Sequence, residues 1–521
     1  MSGRTRMILM GLGAAAMVLP AVVGVDGEGA AAKPPGAFET IDCPPGLVPA
    51  PVAGRTECGL LTVPEDRAAP PGRAVVLPVA IVRSTAVSPA PDPIVMLSGG
   101  PGEAGLATFL SPRWASVIEQ LTATRDVIML DQRSTGAATP ALACPEVDQA
   151  ILETLSRADD PLAERSILED AYRACFERLR ADGGVDLDQY DTPATVADLE
   201  ALRRALDIDD WNIYGLSYGT TVALEALRST PGHLRSVVLD AALPPFADNL
   251  SPAGLVAAGE RGFEALFERC DQPPGCPVLD LSQFPPGFVG LVDGAQLEQD
   301  LARLQSYWNA NPYATIDPVS GQVLHLTGDD AVWALFKGQY YTDILQVLPT
   351  FIELMAPGDA FFGVPIPLPL DVFVQQLPAV LSFDRGTWAT VNCADKVAVM
   401  QPDTLMEVWT SEPVYRSILL DSPTLPELCE ATVRVDQNAP AFAKVLPRNV
   451  PTLVLAGGND PITPPAFGAA TADLLGRRAE FVLIPGIGHV AVGNSGGCGD
   501  QLLVDFVNEP AGTLDTSCAM P

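Results

Sequence analysis

Two short stretches of this chain carry residue types suited to attack on an acyl carbon. Gly215-Leu216-Ser217-Tyr218-Gly219 is a G-x-S-x-G pentapeptide, preceded by the apolar run Trp211-Asn212-Ile213-Tyr214 and followed by helix formers from Thr220 to Leu227. A serine in that setting sits on a sharp strand-to-helix turn that throws its oxygen above a sheet edge. Small flanking residues let such a turn close against its neighbours. The pattern alone is weak, since Gly493-Asn494-Ser495-Gly496-Gly497 matches it too. Ser495 lacks a preceding strand and lies close to Cys498, so it reads as loop, and Ser217 is the candidate nucleophile.

A serine hydroxyl needs a base to take its proton. The chain has only three histidines. His233 follows Pro231-Gly232 at a helix end, and His325 lies in Val323-Leu324-His325-Leu326. His489 alone falls in a glycine-rich loop after a late strand, Ile484-Pro485-Gly486-Ile487-Gly488-His489, and is the candidate base. Catalytic groups of open α/β sheets collect at such strand ends. Asp460, in Gly457-Gly458-Asn459-Asp460-Pro461 after the preceding strand, is the candidate orienting carboxylate. Its task would be to hold the imidazole tautomer and stabilise the imidazolium. The order Ser, Asp, His resembles that of α/β-hydrolases.

Acyl transfer also needs N–H donors waiting for the oxyanion. The N–H of Tyr218, just after the nucleophile, is one candidate. The loop Ser98-Gly99-Gly100-Pro101-Gly102 after the apolar run Ile94–Leu97 offers the other, at Gly99 or Gly100. No Lys-Ser/Thr follows this loop, so it does not read as a phosphate cradle.

These loops require a sheet to carry them. Short apolar runs at Ile94–Leu97, Val127–Leu130, Trp211–Tyr214, Ser236–Leu239, Thr452–Ala456 and Phe481–Ile484 read as buried strands of a mostly parallel sheet. Helical patterns between them, such as Thr195–Leu206, make the class α/β, with helices on both faces. The strand signals lapse in residues 249–449, which read as mostly helical and irregular. This stretch is expected to be a lid inserted between core parts 33–248 and 450–521, because the strands after Asn449 need the earlier ones as neighbours.

The chain has 521 residues, a formal net charge of −33 and 48% apolar residues. A positive mean hydropathy of +0.21 supports a large core and argues against disorder as the dominant state. The acidity argues against nucleic-acid binding and against docking on anionic lipid. Residues 1–32 read as a secretory signal: Arg4 and Arg6, an uncharged apolar run Met7–Val25, then Ala30-Ala31-Ala32 as an A-x-A cleavage site. A secreted or periplasmic protein without stable membrane insertion after cleavage is expected. Ten cysteines fit that address. They fall into local couples, Cys43/Cys58, Cys144/Cys175, Cys270/Cys276, Cys393/Cys429 and Cys498/Cys518. There is no CxxC spacing and no nucleotide or flavin motif, so neither metal nor cofactor is expected.

Together these segments resemble the proline iminopeptidase and tripeptidyl aminopeptidase branch of the α/β-hydrolases. Ser98-Gly99-Gly100-Pro101-Gly102 is similar to its HGGPG segment, and Asp131-Gln132-Arg133-Ser134-Thr135-Gly136 to its DQRGxG segment. Gly215–Gly219 is similar to its GxSYG elbow, and the segments at Asp460-Pro461-Ile462-Thr463-Pro464 and Gly486–His489 match as well. Ser98 stands for the usual histidine and Ser134 for a glycine. The resemblance implies amide hydrolysis after one or a few N-terminal residues, with lid carboxylates holding the substrate ammonium. Glu260 and Glu264, with Glu268, share one helix face and are candidates, although the same spacing describes a solvated face. Esters and amides share the tetrahedral intermediate, so a carboxylesterase or lipase is the alternative.

Overall fold

A computed structural model describes residues 36–521 except 70–71, 158–160, 281–286, 359–364, 382, 402–403, 420–424, 431–432, 434–448, 495 and 521. The expected signal segment 1–32, the Pro285-Pro286 joint and Ser495 therefore lie outside the described residues.

The core strands are β1 (Ala37–Ile41), β2 (Thr56–Pro64), β3 (Ala74–Val82), β4 (Ile94–Leu97), β5 (Val127–Leu130), β6 (Trp211–Leu216) and β7 (Leu234–Asp240). The chain then leaves the sheet and forms two hairpins, β8 (Cys276–Asp280) with β9 (Gly287–Val292) and β10 (Tyr313–Ile316) with β11 (Val323–Leu326). It returns as β12 (Thr452–Gly457) and β13 (Ala479–Ile484). One nine-stranded sheet results, in the order β1-β2-β3-β5-β4-β6-β7-β12-β13. The pairs from β5 to β13 are parallel, while β1, β2 and β3 join antiparallel.

Every residue of β4, β5, β6 and β12 is buried. That is the physical reason they read as unbroken apolar runs, because helices cover both faces of a parallel sheet. One face packs Phe109, Trp114, Ile118 and Leu503 on the strands, and the other packs Leu199, Leu202, Val222 and Leu227. The stretch between β7 and β12 builds its own apolar cluster around Phe263, Leu301, Leu304, Phe336, Leu348 and Ile352. Its helices include Pro252–Asp271, Gly328–Gly338, Thr342–Met355 and Arg385–Asp395. The two hairpins are an addition to the helical pattern expected there. All five expected cysteine couples are disulfides.

Candidate active site

Ser217 stands between the end of β6 and helix Tyr218–Ser229, with φ 52° and ψ −121°. Strain of this kind in a non-glycine residue persists only where its surroundings enforce it. The enforcement is visible in the flanking glycines. A Cβ on Gly215 would stand 2.4 Å from the Gly219 carbonyl oxygen, and one on Gly219 would stand 2.4 Å from the Leu97 carbonyl oxygen. The elbow is thus wedged against itself and against β4. Ser217 remains partly exposed amid buried neighbours. As the first residue of its helix, Tyr218 has no intrahelical acceptor for its N–H, and the helix dipole favours negative charge there.

His489 lies in the loop after β13, and Asp460 in the loop after β12. The histidine Nδ1 is 2.8 Å from Asp460 Oδ2. Asp460 is held from several sides: the N–H groups of Ile462 and Thr463 donate to Oδ1 at 3.1 and 2.9 Å, and Thr463 Oγ1 donates to Oδ2 at 2.6 Å. A carboxylate so fixed keeps the ring proton on Nδ1 and leaves Nε2 as the basic nitrogen. The other histidines are placed differently. His233 sets its Nδ1 3.0 Å from the Asp209 carbonyl, and His325 lies on β11.

Asp240, at the end of β7, joins the serine and histidine loops. Its carbonyl accepts the Ser217 N–H at 2.9 Å. Its carboxylate accepts the N–H groups of Ala491 and Val492, both at 2.8 Å, and the Tyr214 hydroxyl at 2.8 Å. Burial raises this carboxyl above its ordinary value against the pull of those three donors. The sequence reading missed Asp240, because its partners lie some 250 positions away in the chain.

The glycine loop after β4 closes the site. A Cβ on Gly99 would stand 3.0 Å from Ser217 Cβ and 2.9 Å from Leu216 Cδ1, so a side chain there would press on the candidate nucleophile. Ser98 Oγ donates to the Glu103 carbonyl at 3.0 Å, and Gln132 Nε2 donates to the Ser98 carbonyl at 3.1 Å. Asp131 accepts the N–H groups of Leu106 and Ala137, both at 2.9 Å, while burial pushes its pKa up to about 6. The Asp-Gln-Arg segment is therefore the brace of this loop. Arg133 adds a buried ion pair, its Nε 2.7 Å and its Nη2 2.8 Å from the two Asp198 oxygens. Ser134 has φ 65°, which explains a glycine preference at that position, and its hydroxyl lies 2.6 Å from Thr387 Oγ1. The Gly99 N–H itself donates to Glu103 Oε2 at 3.1 Å.

The inserted stretch meets the site through several contacts, among them the Asp384 N–H, which donates to the Gly102 carbonyl at 3.1 Å. His489 N–H donates to the Tyr340 carbonyl at 3.2 Å, and the two rings lie edge to face at 5.1 Å. A Cβ on Gly262 would stand 2.8 Å from Pro461 Cβ, which brings helix Pro252–Asp271 onto the Asp460 loop. Asp395 accepts the Thr192 hydroxyl at 2.5 Å, and Thr192 Oγ1 lies 2.9 Å from the Tyr218 hydroxyl. On helix Pro252–Asp271, burial and then Glu412 and Glu264 raise the Glu260 carboxyl. Glu260, Glu264, Glu298 and Glu412 all act on Tyr415, whose phenol is raised first by burial, to about 12. Among the described residues no group of His, Cys, Asp and Glu is arranged to hold a metal ion, and no helix is long and apolar enough to cross a membrane.

Residues 92–313 match the family model described as alpha/beta hydrolase fold, and residues 421–518 match the one described as TAP-like protein. The chain is 24% identical to serine protease Hip1 of Mycobacterium tuberculosis, over 97% of this chain and 95% of that protein. It is 30% identical to the tripeptidyl aminopeptidase of Streptomyces lividans, over 37% of this chain and 36% of that enzyme. Carboxylesterase B of Mycobacterium tuberculosis is 25% identical, over 86% of this chain and 83% of its own length. With its sheet order, elbow and TAP-like C-terminal part, the chain is a serine hydrolase of the α/β-hydrolase fold.

Proposed function

We propose that the chain is an exported serine exopeptidase that releases N-terminal residues from peptides through Ser217, His489 and Asp460. The observation that carries this reading is the saturated Asp460–His489 pair at the strand ends of a sheet whose elbow holds Ser217 in a strained turn. His489 Nε2 takes the proton as Ser217 Oγ attacks the scissile carbonyl carbon. The N–H groups of Tyr218 and of Gly99 or Gly100 receive the oxyanion. The imidazolium then gives its proton to the leaving amine, and the C–N bond breaks. Water, deprotonated by His489, attacks the acyl-enzyme, and the proton returns to Ser217 as the acid leaves.

Residues 249–449 act in this reading as a lid over the strand ends, and Glu260 and Glu264 are candidate lid carboxylates for the substrate amine. Five disulfides fit an oxidising compartment and hence a secreted or periplasmic enzyme. The similarity to carboxylesterase B over most of the chain favours esterase activity as the second reading. A panel of free and N-capped aminoacyl and peptidyl anilides, set beside p-nitrophenyl acyl esters, separates the two. Strong loss of turnover on capping the amine is expected. Equal turnover of free and capped anilides, or of esters alone, contradicts the exopeptidase reading.

A further inference from the structure

Glu103 is the one carboxylate carried by the oxyanion loop itself, four positions after Gly99 and only partly exposed. Its Oε2 accepts the Gly99 N–H at 3.1 Å and lies 3.3 Å from where a Gly99 Cβ would be. That same Cβ position is 3.0 Å from Ser217 Cβ. The carboxylate therefore occupies the N–H that the exopeptidase reading needs for the oxyanion, on a residue packed against Ser217. A developing oxyanion cannot share that donor with a second full negative charge. For acyl transfer to proceed, Glu103 must give up the Gly99 N–H, and something must make that move favourable.

A substrate with a free amine brings the means with it. In an aminoacyl substrate the ammonium nitrogen lies about 2.5 Å from the scissile carbonyl carbon, across one Cα. It enters the site within reach of the side chain that has to leave. In a tripeptidyl substrate two more residues intervene, each adding up to about 3.3–3.6 Å, which carries the ammonium away from a group anchored at Gly99.

Resting on the exopeptidase reading, we infer that Glu103 receives the α-ammonium of a substrate from which a single residue is removed, and that without substrate it caps the Gly99 oxyanion donor. The enzyme is thereby selective for free amines at the point of chemistry: an uncharged ligand has nothing with which to draw the cap away.

The test is Glu103→Gln, which keeps an acceptor for the Gly99 N–H and so preserves the loop while removing the charge. Wild type and variant are compared on an aminoacyl anilide, its N-acetyl form, a tripeptidyl anilide and p-nitrophenyl acetate, with active sites counted by fluorophosphonate titration. The wild type is expected to favour the free aminoacyl anilide. The variant is expected to lose about 10- to 100-fold in kcat/KM on it, mostly through KM, the worth of a hydrogen bond to a charged group. The same variant should gain severalfold on p-nitrophenyl acetate, where the cap only obstructs. A parallel fall on the anilide and the ester would make Glu103 a loop brace and overturn the assignment. So would an unchanged anilide KM, or a wild-type preference for the tripeptidyl substrate. A wild type indifferent to N-acetylation defeats the exopeptidase reading itself, and that outcome is visible without the variant.

Discussion

The strand-end loops and the inserted stretch both bury polar groups, but most of the buried side-chain atoms left without a hydrogen-bond partner among the described residues fall in the stretch. In the loops three buried carboxylates are well bonded: Asp460 by His489, Thr463 and two backbone N–H groups, Asp240 by Tyr214 and two more, Asp131 by two. In the inserted stretch, Glu353 is 2% exposed with neither oxygen bonded, and Gln339 is fully buried with neither amide atom bonded. Unmatched buried groups cost stability, whereas matched networks fix a unique geometry. The proposed triad is thus positioned by the sheet and its loops. The inserted stretch is held onto them by contacts that include those at Tyr340, Gly262, Asp384, Thr387 and Asp395.

The largest effects should come from the loops. Ser217→Ala should lower kcat on the order of 10⁶-fold with the fold intact by circular dichroism. Asp460→Asn should lower it about 10⁴-fold by allowing the wrong imidazole tautomer. Asp240→Ala touches no substrate, yet it should cost about 100-fold in kcat, as a misplaced reacting group does. It should also cost about 3 kcal/mol of stability, because two buried N–H groups lose their acceptor. Kinetics and denaturant melts of that one variant check both figures.

The lid should answer in the other direction. Glu353→Leu replaces an unbonded buried carboxylate and should raise stability by about 1–3 kcal/mol at neutral pH. Burial raises the Glu353 carboxyl against the attraction of Arg303, so the native protein holds its proton to higher pH than the unfolded chain. The charge penalty is absent below the ordinary carboxylate pKa and grows as pH climbs through the raised value. The gain from Glu353→Leu should therefore shrink as melts are repeated toward acid pH. A loss of stability as large as that of Asp240→Ala would erase the contrast between the two regions.

What the sequence disclosed follows the same divide. The six expected strands are present; the interior ones read clearly because full burial leaves an unbroken apolar run, as in Val127–Leu130, whereas the edge strand β13 exposes Leu483. The antiparallel strands β1 to β3 escaped notice because β1 is largely unburied and the others alternate in part: β2 alternates buried with half-buried residues from Leu60 and includes Pro64. The lid hairpins escaped because they are short and carry exposed Ile316 and Val323 beside buried Leu324. The candidates Ser217, His489 and Asp460 are read from local turns after strands. Asp240, Thr463 and Glu103 are not, since each acts through a contact that no spacing rule encodes. Ser134 looked like a departure from a family pattern. Its positive φ and its bond to Thr387 show how a serine is accommodated where glycine is easier.

The central claim is that Ser217 is made nucleophilic by His489. Reaction of the folded protein with a fluorophosphonate, followed by digestion and mass mapping, tests it directly. One adduct is expected, on the peptide containing Ser217, and it should vanish in a folded His489→Ala variant. An active protein that carries the adduct on another serine, or labels equally well without His489, would contradict the account.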